Sequence, residues 1–210
     1  MTAELIGALL ASVYGCCTVF RKKTPLFYKI VFYAVLTCLM GSIYTVLYDR
    51  LWVGADTGFQ IGYLGYIGMF FFLYSSYYGA INSLADDGQP GLRRYRILSG
   101  IITAAFITAS VLLLFLSEKD VWTYITVIPM SFTVYFAVKH LIIPDVDMGI
   151  ICVMRPYNAL IVSLCVCMML RLLSASGSIT NTVCSIVTGI LLAACLPTAK
   201  NGVQKWFTSS

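Results

Sequence analysis

The chain has 210 residues, 60% of them hydrophobic and 11% charged, with a formal net charge of +5 and a mean hydropathy of +0.87. A soluble domain carries roughly 25% charged residues, so this composition excludes a water-soluble globule. A spanning helix takes about 20 apolar residues, so seven crossings with short loops exhaust the length and leave no room for a soluble catalytic or nucleic-acid-binding domain. The fold expected is an all-α polytopic bundle of seven transmembrane helices forming a single integral membrane domain over 1–210.

The first apolar run covers 4–20. Met1-Thr2-Ala3-Glu4 before it holds no basic residue, whereas Arg21-Lys22-Lys23 follows it. A cleavable signal peptide has the opposite order, so the segment is expected to remain as a helix. Cys16 and Cys17 beside the basic run suit S-palmitoylation. After Thr24-Pro25 a second helix covers 26–48, with Tyr33, Thr37, Tyr44, Thr45 and Tyr48 spaced mostly by three or four and so grouped on one face. Asp49-Arg50 closes it.

The third helix, 59–83, begins at a glycine stripe of Gly58, Gly62, Gly65 and Gly68. Small residues at that spacing let a neighbouring helix approach closely. Its far end is polar and aromatic, with Tyr74, Ser75, Ser76, Tyr77, Tyr78, Asn82 and Ser83. Tyr77 and Tyr78 read as interface anchors. Tyr74 reads as deeper, and with Ser75 and Ser76 it gives hydroxyls that lipid cannot satisfy and the bundle must.

A polar break containing Asp86-Asp87-Gly88-Gln89-Pro90-Gly91 leads to helices at 97–117 and 121–143, the latter with Pro129 as a candidate kink. The sixth helix, 149–173, contains Arg155-Pro156-Tyr157-Asn158. Pro156 frees a carbonyl and is a second candidate kink. An intramembrane arginine beside it forms the kind of polar step that broken helices use to hold anions. Arg155, Tyr157, Asn158, Tyr74, Ser75 and Tyr44 are therefore the candidate ligand-binding residues. The seventh helix is expected at 178–197, with no lysine inside it.

The eight cysteines all fall within these helices, and Cys165 and Cys167 point about 200° apart on their helix, a geometry unsuited to chelation. No metal, cofactor or disulfide framework is expected. HExxH and G-x-S-x-G are absent, so no catalytic residue is assigned. All acidic residues lie in loops or at helix ends, which argues against a buried carboxylate relay for protons. An enzyme acting on lipid through Asp49, Asp86 or Asp87 at an interface is the reading left to catalysis.

Basic residues set the expected orientation. With the N-terminus outside, Arg21, Lys22, Lys23, Lys29, Arg93, Arg94, Arg96, Lys139, Arg155, Lys200 and Lys205 fall on the cytoplasmic side, against Arg50, Lys119 and Arg171 outside. The host membrane would be a plasma or bacterial inner membrane. The partners expected are the lipid bilayer, a small-molecule ligand, and a further copy or membrane subunit, with no nucleic acid.

Helix count and orientation are similar to those of 3+1+3 sugar and vitamin transporters, seven-helix sensory modules and retinal proteins. Their marks are missing: the Schiff-base lysine, the proline quartet with its Pro-Gln motif, and an output domain after the last helix. The functional expectation is a carrier of a small polar or anionic solute through a tyrosine-rich bundle. The alternative is a non-enzymatic receptor, sensor or complex subunit.

Overall fold

The computed structural model describes residues 2–20, 24–51, 61–82, 86, 88, 90–144, 149–175 and 177–209. They form seven helices: α1 (Thr2–Val19), α2 (Leu26–Leu51), α3 (Gly62–Ser76), α4 (Arg93–Leu116), α5 (Val121–Ile142), α6 (Ile150–Leu173) and α7 (Ile179–Ser209). A π-helical turn, Tyr77–Ile81, continues α3, and a 3-10 turn, Pro90–Leu92, leads into α4.

In hydrocarbon every backbone N–H and C=O must find its partner within the chain, which leaves the helix as the way for such apolar sequence to cross. By length and composition, Leu26–Tyr48, Pro90–Leu116, Val121–Ile142, Ile151–Leu173 and Ile179–Lys205 suffice to cross a membrane, and Ala3–Val19 is a shorter apolar helix. Large apolar side chains such as Leu10, Phe115 and Ile190 stand exposed on the outer surface. The protein is an all-helical membrane bundle whose outer faces meet lipid.

Six helices close a ring. α1 packs on α2 and α7, α2 on α3, α3 on α5, α5 on α6 and α6 on α7, while α4 lies outside against α5. Lipid tails are as apolar as leucine, so helix contacts form where surfaces are small or polar. α4 shows this plainly, burying Ser99, Thr103 and Ser110 with Leu114 and exposing Ile97, Ile101, Val111 and Leu112.

Two glycine contacts set the closest helix approaches. A Cβ built on Gly65 would lie 2.5 Å from the Gly41 Cα and 2.8 Å from the Thr37 carbonyl oxygen, so α2 and α3 touch backbone to backbone. On Gly62 it would collide with Thr45 Oγ1, whereas on Gly68 it would make ordinary contact with Thr37 at 3.5 Å. Gly58 lies outside the described residues. Gly7 of α1 and Gly189 of α7 form the second contact, with a Cβ on Gly7 placed 2.7 Å from the Gly189 Cα.

The helices continue through Pro129, Pro156 and Pro197. α7 thus runs beyond the expected end at 197 and carries Lys200 and Lys205. Lys200 Nζ sits 5.5 Å from the Tyr14 ring centre. A missing N–H from proline removes one helical hydrogen bond, and neighbouring elements hold the rest. All eight cysteines are free, with Cys16, Cys17 and Cys152 exposed and Cys38, Cys165, Cys184 and Cys195 buried.

Candidate functional site

The π turn after α3 positions the first side chain of the candidate site. Its wider winding keeps Tyr77 and Ile81 inside the bundle while Tyr78 faces out. Such single π turns recur at functional sites. The Tyr77 hydroxyl donates to Asn158 Oδ1 of α6 at 2.9 Å, and both residues are fully buried. Tyr157, next to Asn158, packs edge-on against Phe27 of α2 and lies 6.0 Å from the Tyr77 ring. From α5, His140 stacks on Tyr77 at 5.5 Å and lies tilted against Phe136 at 6.2 Å.

Four polar atoms in this cluster make no hydrogen bond within the chain: Asn158 Nδ2, both ring nitrogens of His140, and the Tyr157 hydroxyl oxygen. The Tyr157 hydroxyl lies beside Ser76 without bonding geometry. Leaving a buried polar group unsatisfied costs about 1–3 kcal/mol. All four belong to residues that are buried inside the bundle. Asn158 offers a donor, and neutral histidine offers a donor and an acceptor.

At the end of the bundle nearest this cluster, Asp86 gathers two cations. Arg96 donates to its carboxylate at 2.7 and 2.8 Å, and Lys139 Nζ lies 2.6 Å from Oδ2. Lys139 also donates to Asn82 Oδ1 at 2.6 Å, although only 3% of the residue is exposed. Burial opposes ionisation of Asp86, but the bonds from Arg96, Lys139 and the Gly88 N–H outweigh it and hold the carboxyl at about 2. Asp86 therefore stays a carboxylate, the form unsuited to general acid work.

A second buried ion pair occupies the opposite end. Glu4, 1% exposed, meets Arg171 with Oε1 and Nε 2.8 Å apart, and Tyr66 donates to its other oxygen at 3.4 Å. The Arg171 guanidinium lies 5.4 Å from the Tyr66 ring centre. Thus the charge pair ties α1 to α6, and the Tyr66 hydroxyl joins α3 to them. Glu4 does lie in the first turn of a helix, but it is enclosed rather than solvated, which corrects the sequence-based argument that no carboxylate is buried.

Of the six candidate residues read from sequence, Tyr157 and Asn158 come together in the cluster. Arg155 is exposed on α6 and donates to the Ile143 carbonyl at 3.4 Å, and Pro156 is exposed beside it. Tyr74 is half-buried, stacked on Tyr78 and tilted against Phe132 and Phe136, and touches the cluster only through the Phe136 ring. Ser75 is half-buried, and Tyr44 stacks on Tyr48 in the other half of the bundle. The Pro129 carbonyl lies within bonding distance of Thr133, whose hydroxyl also reaches the Phe70 carbonyl across to α3.

Sequence reading missed Tyr77, His140 and Lys139 by assigning them to interfaces. The available signal was Lys139 within an apolar helix, since an ionisable residue at such a position is a site by default. Comparison with protein-family models, curated proteins and solved structures finds no match for the chain.

Proposed function

We propose that the protein is a carrier that binds a small polar solute at Tyr77, His140, Tyr157 and Asn158, between two ion-paired ends. The observation that carries this reading is the concentration of unpartnered polar atoms in that buried cluster. An ion network at each end, Glu4–Arg171 and Asp86–Lys139–Arg96, supplies bonds that open and close while the ring of helices stays joined. The nearest cation, Lys139, is engaged by Asp86, so a neutral solute with both donors and acceptors suits the cluster best.

The same reading orients the bundle with the N-terminus outside and the basic ends of α4, α6 and α7 in the cytoplasm. A cysteine introduced at Gly88 would then be labelled by an impermeant reagent only from the cytoplasmic side, and one at Gly177 only from outside. The reverse pattern overturns the orientation.

Binding is tested by the melting temperature of purified protein against a panel of sugars, polyols and carboxylates. A bound solute at a hundred times its Kd stabilises by about 2.7 kcal/mol. The expected result is saturable stabilisation of the wild type by an uncharged member, uptake of that member into proteoliposomes, and loss of both in Asn158→Leu. Stabilisation without uptake would favour a receptor, and no response to any member removes the solute site.

A further inference from the structure

We propose that Glu4 is a proton-binding site linked to opening of the bundle end it closes, so that the open form carries one more proton than the closed form. This rests on the carrier reading, because it assigns that end a movement. The geometry supplies the rest. α1 and α6 meet there through a carboxylate and a guanidinium that are both buried, with Oε1 and Nε 2.8 Å apart but not aligned for a hydrogen bond, and α3 joins through Tyr66.

Consider what separating these helices does to each charge. Arg171 stays protonated at any ordinary pH, and it stands at the last turn of α6, where it is the more exposed of the pair. A guanidinium there reaches water or headgroups by extending its stem. Glu4 has no such route, since its short side chain is enclosed. A lone carboxylate in low dielectric is costly, and the group neutralises instead by taking a proton. The Glu4–Arg171 contact breaks, one proton from the adjoining aqueous phase adds to a Glu4 carboxylate oxygen, and Arg171 keeps its charge. Closure releases that proton as the pair re-forms.

The groups facing Glu4 make this local. Arg171 comes from α6, Tyr66 from α3 and Cys38 from α2. α7 approaches with Gly189, which has no titratable side chain. Arg171 is the fixed cation of the pair. Tyr66 donates to Glu4 in either state, because the neutral acid keeps an acceptor oxygen.

Cys38 is a native reporter, being fully buried beside this group. Its methylthiolation by methyl methanethiosulfonate, which forms a mixed disulfide and releases methanesulfinate, is read by mass spectrometry and compared between wild type and Glu4→Gln at each pH. Gln imitates the protonated acid. Losing a buried charge pair destabilises the closed form, so the variant should label at least about tenfold faster at pH 8. The wild-type rate should converge on it as the pH falls. A ratio that stays constant with pH overturns the proton site. Equal, rapid labelling of both leaves the carrier reading standing and removes only this proposal, whereas no labelling in either at any pH removes both.

Should the Gln variant misfold, infrared difference spectra of wild type across the same pH range serve instead. A protonated carboxyl band that shifts in Glu4→Asp supports the site. A band unmoved by that change overturns it.

Discussion

The Tyr77 hydroxyl, carried into the bundle by a π turn, donates to Asn158 Oδ1 of α6 at 2.9 Å and so joins two helices through a fully buried bond. Removing one partner strands the other. Tyr77→Phe should lower stability by about 1–3 kcal/mol, because the Asn158 oxygen is left unpaired. Asn158→Leu in that background should recover part of the loss, since the orphaned acceptor goes with it. Melting curves of the two single variants and the double variant give the coupling, for which measured interhelical bonds in membranes average about 0.6 kcal/mol. Strictly additive losses would mean the bond contributes nothing.

Asp86 predicts an acid-sensitive fold. Its carboxyl is held at about 2, below the ordinary 3.8. A depressed folded-state value gives stability that is present above about pH 4 and lost as the pH falls towards 2. The shift corresponds to about 2 kcal/mol. The difference in melting temperature between wild type and Asp86→Asn should therefore be largest near neutrality and shrink below pH 4. The Asn variant leaves Lys139 with Asn82 alone among these partners, which adds to its cost at neutral pH. A difference unchanged from pH 7 to pH 2 would mean that the network does not support the fold.

The seven helices were legible in the sequence because apolar runs of about 20 residues between charged breaks have one solution in lipid. Helix seven was cut short at Pro197 because proline ordinarily ends a helix in water. In the bundle α7 passes through it, and only one helical bond is given up. The site was half legible. Tyr157 and Asn158 were singled out by their place after Pro156, but the reading attached them to Arg155, which their own helix turns to the outside. Glu4 looked solvated from its position in the first turn. Its partner Arg171 is 167 positions away, and a contact at that separation leaves no periodic trace.

Arg155 makes a separable prediction. It is exposed and its one described bond is a 3.4 Å contact to the Ile143 carbonyl. Arg155→Gln should change stability by less than about 0.5 kcal/mol, as exposed substitutions generally do. It should also leave solute-dependent stabilisation intact. Loss of that stabilisation with an unchanged apo melting curve would return Arg155 to the binding site and displace the Tyr77–Asn158 cluster from it.

The glycine contact between α2 and α3 gives the sharpest packing test, because both partners are backbone. A Cβ on Gly65 would sit 2.5 Å from the Gly41 Cα, and one on Gly41 would sit 2.7 Å from the Gly65 Cα. Neither neighbour has a flexible side chain to withdraw, so the helices themselves must part. Gly65→Ala and Gly41→Ala should each cost about 1–3 kcal/mol, the range for overpacking. Gly100→Ala in α4 meets nothing within 4 Å. It should be neutral or stabilising by about 0.5–1 kcal/mol, the helical advantage of alanine over glycine. The informative variant is the double one. Once the first methyl has pushed the helices apart, the second occupies space already opened, so Gly41→Ala with Gly65→Ala should cost clearly less than the sum of the singles. Thermal unfolding in one detergent measures all four variants. Full additivity would show that the two glycines are accommodated independently and that the backbones do not bear on each other.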